Sequence, residues 1–360
     1  MEKLITENCK QSIGKGRRGL RALLGGALSL LVTLPATVGI FANSGAAHAQ
    51  GQDWNAVVAA ARKEGRVVWY TNTVPAVNER LKTAFEAAYP GIVVEYTRIV
   101  GGPITSKVDQ EQQQGVDGAD VVFAYQPLWM AATVKAGRFK PLAGPESRTW
   151  PAKAMMAPGV PFLGLDPFVI AYNGDSLKPP ITGYRDFLRP DLKGKIGTTQ
   201  LAAIDSIAWY EWVEATQGTD FLEKFAAQSP KLYPGSAPLT QAVASGEMLV
   251  AASTIMAITN PLIQKGAPLK IIIPKPAIGT GFGGAVLSTA RRPNSGMVFL
   301  DYVMSVPGQT VIHGRGESAS PLNVPGSVDS STIIPFDAQK YTPDVVKAST
   351  ARWERIFSPK

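Results

Sequence analysis

The 360-residue chain contains one cysteine and two histidines, and where they stand excludes a good deal of chemistry. Cys9 and His48 both precede residue 50, so the rest of the chain has no cysteine and one histidine, His313. Such a chain forms no disulfide, carries no thiol nucleophile and offers no Cys metal ligand. A single histidine leaves His-based metal cages and Ser-His-Asp catalysis almost nothing to work with. After residue 49 there is no second long apolar run, no repeat at a fixed period and no low-complexity segment.

The first 49 residues read as an export signal. Six basic residues (Lys3, Lys10, Lys15, Arg17, Arg18, Arg21) precede an apolar run from Ala22 to Phe41, and Ala47-His48-Ala49 forms a small-x-small site, so cleavage is expected after Ala49. The apolar run is about long enough to span a bilayer, which keeps a retained anchor as the alternative, but Gly25, Gly26, Pro35 and Gly39 interrupt it. Arg17-Arg18-Gly19-Leu20-Arg21 resembles a twin-arginine motif, which implies export of an already folded chain; two adjacent arginines in a basic segment are the plainer reading. No cysteine stands beside the cleavage site, which argues against a lipid anchor.

Cleavage also halves the charge. Removing six basic and two acidic residues from the 36 and 28 of the whole chain lowers the net charge from +8 to +4, and a nucleic-acid partner loses its main argument. Removing 49 residues from 360 leaves 311, enough for two lobes with separate cores.

From Asp53 short apolar strands alternate with amphipathic helices. Trp54, Val57, Val58 and Ala61 repeat at helical spacing up to Gly65; Val67–Tyr70 reads as a strand; Val77, Leu81, Ala84, Phe85 and Ala88 share the face of a second helix. Strands are expected at Ile92–Tyr96 and Val121–Ala124, with a helix from Gly101-Gly102-Pro103 between them. Strand, helix, strand, helix, strand implies a parallel sheet with helices on both faces. After a Pro- and Gly-rich passage (Pro141 to Pro161) comes the buried-strand pattern Pro167–Asn173. A second alternating unit follows, with strands at Lys195–Gly197, Met248–Ala252 and Leu269–Ile273 and helices around Trp209–Val213 and Leu239–Ser245. The last strand is expected at Ala285–Ser288, and the remainder reads as mainly helical, ending in a helix around Val345–Phe357.

Six stretches, in chain order, carry a resemblance: VVWYTNTVPAVNERLKTAFEAAYPGIVVEY, GADVVFAYQP, FVIAYN, YRDFLRPDLKGKIG, APLTQAVASGE and QKGAPLKIIIPKPAIGTGFGGAVLS. Together they resemble the periplasmic solute-binding proteins of bacterial ABC importers, and within them the branch that binds ferric iron, polyamines and phosphorylated compounds. The resemblance runs from about Asp53 to the C-terminus. It implies a type II periplasmic-binding fold: two α/β lobes, each a mainly parallel sheet flanked by helices, joined by two crossover strands around a ligand cleft. The lobes then divide as residues 53–165 with 276–312, and 166–275 with 313–360.

Physical reasoning places the ligand groups at the same cleft. Open parallel sheets bind ligands beyond the carboxyl ends of their strands, where helix N-termini present unpaired N–H groups. Thr71, Asn72 and Thr73 occupy that place after the first strand; capping of the next helix needs only one of the three. Tyr125 follows the third strand, as contact or packing aromatic. Arg98 ends the second strand, where it can grip a carboxylate bidentately or simply face solvent. Thr198 and Thr199 follow a second-lobe strand, and Asp205-Ser206 opens a helix. The family often has a Ser-Gly-Ser-like turn near that point; here Ala203-Ile204-Asp205-Ser206 has no glycine and an added carboxylate. Asp205 is either an N-cap favoured by the helix dipole or a cleft group that disfavours phosphate and favours an amine or a hydroxyl-rich ligand.

Iron-binding relatives carry adjacent tyrosines after the strand that follows Ser245-Gly246-Glu247. This chain has Ser253 to Pro261 there with no tyrosine, so the phenolate oxygens that suit ferric iron are missing, and Ser253, Thr254 and Asn260 become hydrogen-bonding candidates. Gly279–Gly284 looks superficially like a phosphate loop, but it precedes a strand and lacks the Lys-Ser/Thr, so a hinge is the better reading.

The expected protein is a monomeric periplasmic receptor that closes around a small polar organic solute and delivers it to an inner-membrane ABC permease, with no catalytic residues, no cofactor, no metal and no nucleic-acid partner. The alternatives are a ferric-iron binder, an exported carboxylate-dependent hydrolase, and a sensory receptor presenting its ligand to a membrane kinase or chemoreceptor.

Overall fold

The computed structural model describes residues 53–201 and 204–357. The export signal, with Cys9 and His48, lies outside the described residues. The chain begins α1 (Trp54–Glu64), β1 (Arg66–Thr71), α2 (Pro75–Ala88), β2 (Val93–Arg98), α3 (Pro103–Gln114), β3 (Val121–Ala124), α4 (Pro127–Lys135) and α5 (Pro145–Thr149). Then come β4 (Met155–Ala157), β5 (Val160–Asn173), β6 (Ile196–Thr199), α6 (Ile204–Gln217), α7 (Phe221–Ala226), β7 (Lys231–Tyr233), α8 (Ser236–Ala244), β8 (Val250–Ile255), α9 (Met256–Gln264) and β9 (Leu269–Ile272). The last elements are β10 (Ala277–Val286), α10 (Pro293–Met304), α11 (Val306–His313), β11 (Ile333–Pro335) and α12 (Pro343–Phe357). No helix among the described residues is long and apolar enough to cross a membrane.

Strand order is β2-β1-β3-β10-β5-β8-β6-β7. At one end β2, β1 and β3 are parallel, and at the other β8, β6 and β7 are parallel. The strands between them are the crossovers. In β5, Phe162 to Pro167 pair antiparallel with β10, while Phe168 to Tyr172 pair antiparallel with β8, so one strand belongs to both lobes. β10 runs from the second lobe's β9 back to the first lobe's β3. The fold is therefore the two-lobed α/β arrangement expected from the sequence.

Alternation along the strands builds a core on each sheet face. Trp69, Val121 and Phe123 pack under α1, α2 and α10 with Val57, Leu81, Phe85 and Phe299, whereas their neighbours Tyr70, Val122 and Ala124 pack under α3 and α4 with Ile104, Val108 and Met130. In the second lobe Ile170 and Val250 face α6, α7 and α12, while Ala171 and Ala251 face α8 with Leu239 and Val243. The first lobe also holds a charged tie: fully buried Asp120 accepts from Val68 N–H (2.8 Å), Arg292 N–H (3.0 Å) and Arg292 Nε (2.7 Å).

Several boundaries differ from expectation. β5 begins at Val160, seven residues before Pro167, and β6 extends through Thr199, so Thr198 and Thr199 lie in the strand, not after it. Ser253 and Thr254 lie inside β8, and Asn260 inside α9. Gly279–Gly284 does not precede a strand; it lies wholly within buried β10. Its glycines answer to close packing: a Cβ on Gly279 would sit 2.8 Å from the Asp166 carbonyl oxygen, and one on Gly284 2.5 Å from Leu163.

Candidate functional site

A cavity of about 680 Å³ opens where the two lobes face each other across β5 and β10, a size that suits a small organic molecule. The first lobe contributes Asn72, Thr73, Val74 and Val77 at the β1–α2 join, Arg98 at the end of β2, and Tyr125 to Trp129 after β3. The second lobe contributes Thr199 and Gln200, Ile204 to Ser206 at the start of α6, Pro234 to Ser236 at the start of α8, and Ser253 and Ile255 from β8. Asp166 and Phe168 of β5 and Thr280 and Phe282 of β10 form the floor, with Glu317, Ser318 and Phe336 from the C-terminal segment. The wall residues stand mostly at strand ends and helix starts, as the parallel-sheet argument requires, while the floor residues lie within the crossover strands.

Of the twelve candidate residues, Asn72, Thr73, Arg98, Tyr125, Thr199, Asp205, Ser206 and Ser253 line this cavity. Thr71, Thr198, Thr254 and Asn260 do not, because their polar groups are used internally. The buried Thr71 hydroxyl lies 2.7 Å from that of Thr73 and accepts from Thr73 N–H at 3.0 Å, and Thr73 in turn donates to Asn78 Oδ1. Thr198 pairs with Tyr210 (2.7 Å), Thr254 with Thr240 (2.7 Å), and Asn260 donates to the Gly316 carbonyl (3.3 Å). None of the first-lobe trio caps α2: its N-cap is Val74, without a side-chain hydrogen bond. Asp205 is the second residue of α6 and accepts from Ser206 N–H at 2.8 Å.

Asp166, Glu317 and Thr280 also line the cavity and are not among the residues expected from the sequence, whereas Gln126, beside Tyr125 after the third strand, stands where it is expected. Asp166 was visible as the lone carboxylate in the apolar run FLGLDPFVIAYN. It accepts from the Tyr125 hydroxyl at 2.6 Å. Burial pushes its carboxyl up to about 6, with the Tyr125 hydrogen bond opposing and the Glu317 charge adding to the rise. Burial also raises the Tyr125 phenol well above its ordinary value, helped by Asp166 and Asp205 and opposed by Arg98. The Asp205 carboxyl is raised chiefly by burial. Glu317 is held by Arg80 at 2.6 Å.

Three buried polar atoms of the lining have no hydrogen-bond partner: Asn72 Oδ1, Gln126 Oε1 and Thr280 Oγ1. Unsatisfied buried polar groups are costly, and these three stand just behind the cavity surface on residues that line it. No group of three or more His, Cys, Asp or Glu side chains among the described residues is arranged to hold a metal ion.

Residues 66–316 match the family model of the bacterial extracellular solute-binding proteins. The chain belongs to that family. Its members are solute-binding proteins, which sets the hydrolase alternative aside. No match was found among curated proteins. Solved structures share the fold. The substrate-binding protein of an ABC transporter from Agrobacterium tumefaciens is 19% identical with a TM-score of 0.69, over 83% of this chain and 97% of that one. AfuA from Actinobacillus pleuropneumoniae, a periplasmic binding protein with fructose-6-phosphate bound, is 17% identical with a TM-score of 0.63, over 82% and 100%. Iron-bound HitA from Pseudomonas aeruginosa is 19% identical with a TM-score of 0.60, over 82% and 99%.

Proposed function

We propose that this solute-binding protein is the periplasmic receptor of an ABC importer, exported with cleavage after Ala49 and acting as a monomer. It captures a small polar organic solute between lobes 53–165 with 276–312 and 166–275 with 313–360, then presents the closed form to an inner-membrane permease. The observation that carries this is the cavity itself: two lobes linked by β5 and β10 share one pocket whose polar groups come from both sides. A solute touching both walls binds the closed state better than the open one, and that differential affinity is what shifts the population toward closure.

An organic solute fits the donor set better than ferric iron. Hard iron prefers several phenolate and carboxylate oxygens, yet Tyr125 is the single phenol of the lining, and it is already hydrogen-bonded to Asp166. Where the iron-binding relatives place tyrosines, Ile255, Ala257 and Ile258 line this cavity. Native mass spectrometry of the protein purified without refolding tests the reading. A co-purifying organic mass released on unfolding supports it, and a bound iron with a tyrosinate absorption band refutes it. Cross-linking in membranes then separates a permease partner from a membrane kinase or chemoreceptor.

A further inference from the structure

The charges around the cavity are not all balanced by the protein. Glu317 is paired with Arg80, and Asp166 on the floor receives the neutral Tyr125 hydroxyl, a hydrogen bond and not an ion pair. Each wall carries one further charged group. Arg98 on the first lobe spends only its Nε, which donates to the Thr73 carbonyl at 2.9 Å and fixes the guanidinium plane; it makes no ion pair among the described residues. Asp205 on the second lobe is hydrogen-bonded within its own turn, by its own backbone N–H and by Ser206, and makes no ion pair among the described residues. They do not pair with each other, yet both act on the same phenol, Tyr125, from opposite directions of charge.

Resting on the receptor reading, we infer that the solute carries one carboxylate and one ammonium group on an apolar body, with the carboxylate meeting Arg98 of the first lobe and the ammonium meeting Asp205 of the second. A zwitterion of this kind satisfies both lobes at once and completes both ion pairs only when the lobes come together. A phosphorylated solute would satisfy Arg98 while opposing Asp205, and a diamine would satisfy Asp205 while leaving Arg98 uncompensated, each at the expense of a charge kept from water. Phe168, Ile204, Ile255 and Phe336 supply the apolar wall for the body.

The test is a ligand series measured by isothermal titration calorimetry on the exhaustively dialysed protein. Leucine and 6-aminohexanoate cover short and long charge spacing, and each is compared with its carboxamide and its N-acetyl derivative, alongside putrescine and inorganic phosphate. At least one amino acid should bind, with each single-charge derivative weaker by about ten-fold or more, as expected for loss of a charge-assisted hydrogen bond. R98Q should abolish the preference over the carboxamide, and D205N the preference over the N-acetyl form, with thermal melting confirming that both variants fold. The inference is overturned if a single-charge derivative matches its parent, if putrescine or phosphate binds more tightly than both amino acids, or if neither amino acid binds up to about 10 mM. A bacterial extract of small solutes that still raises the melting temperature in that last case would leave the receptor reading standing; no shift from the extract would count against both.

Discussion

His313 gives the sharpest stability prediction, because it is the sole histidine after residue 48 and is completely buried. It ends α11, with Nε2 2.9 Å from the Leu163 carbonyl on β5 and Nδ1 2.5 Å from the Ser318 hydroxyl. With the ring neutral, Nε2–H donates to the carbonyl and Nδ1 accepts from Ser318. Burial lowers its pKa from 6.5 to about 4, with the Leu163 hydrogen bond opposing. Between those values the unfolded chain binds a proton that the folded chain refuses, so stability falls as pH drops through this window and is unaffected above it. Full development below pH ~4 costs about 3 kcal/mol, and at pH ~4.5 about 2.5 kcal/mol is already lost. His313→Gln removes the titration while keeping one donor and one acceptor. Denaturant unfolding at pH 7 and at pH ~4.5 should show the variant gaining about 2.5 kcal/mol relative to wild type on acidification, whatever its penalty at neutral pH. Proton NMR should find the folded His313 ring untitrated down to pH ~5. A ring titrating near 6.5, or a variant-to-wild-type difference that stays constant with pH, would refute the reasoning.

Asp166 has the opposite sign. Its folded pKa is raised, so its contribution weakens stability as pH rises from about 4 to 6, and D166N, which still accepts from Tyr125, should be more stable than wild type above pH ~6 by about 2–3 kcal/mol in thermal or denaturant melts. Replacing Arg292 by methionine strands fully buried Asp120 without its guanidinium and should cost about 3–5 kcal/mol in a urea titration; a loss under 1 kcal/mol would mean the tie adds nothing. G279A places a Cβ 2.8 Å from a backbone oxygen that cannot rotate away, so about 1–3 kcal/mol of destabilisation is expected in the same titration. T71V should cost about 1 kcal/mol in stability and leave solute affinity unchanged by calorimetry, since its hydroxyl serves Thr73 and not the cavity.

Much of the fold was legible because it rests on local periodicity. Trp69 and Tyr70 could be assigned to opposite sheet faces from alternation alone, and Val77, Leu81 and Phe85 to one helix face from spacing. The site was legible only as an address. Thr71 and Thr73 stand at the right strand end, but both hydroxyls are taken up internally, by each other and by Asn78 on α2, and that pairing leaves no trace in the residue pattern. The roles of Asp166 and Glu317 were hidden for a related reason: their partners, Tyr125 and Arg80, are 41 and 237 residues away in the chain. Strand ends misjudged by a few residues had a larger effect than their size suggests. Extending β6 through Thr199 turned Thr198 from a loop residue into a core residue bonded to Tyr210.

The floor of the cavity and its walls have different mechanical standing. Thr280 and Asp166 are register partners on β10 and β5, so their separation is set by a strand ladder running between the lobes. The glycines of β10 let its backbone lie close against Asp166 and Leu163. Arg98 and Asp205, by contrast, ride on different lobes, and a rotation about the crossovers changes the distance between them more than any distance on the floor. A receptor that must report occupancy to a membrane partner needs its affinity concentrated in groups whose spacing differs between open and closed states, since contacts equally good in both shift nothing. On the proposed reading, the charges carried by the walls, Arg98 and Asp205, are the groups that sense the solute, and the Tyr125–Asp166 hydrogen bond stands beside the strand ladder of the floor.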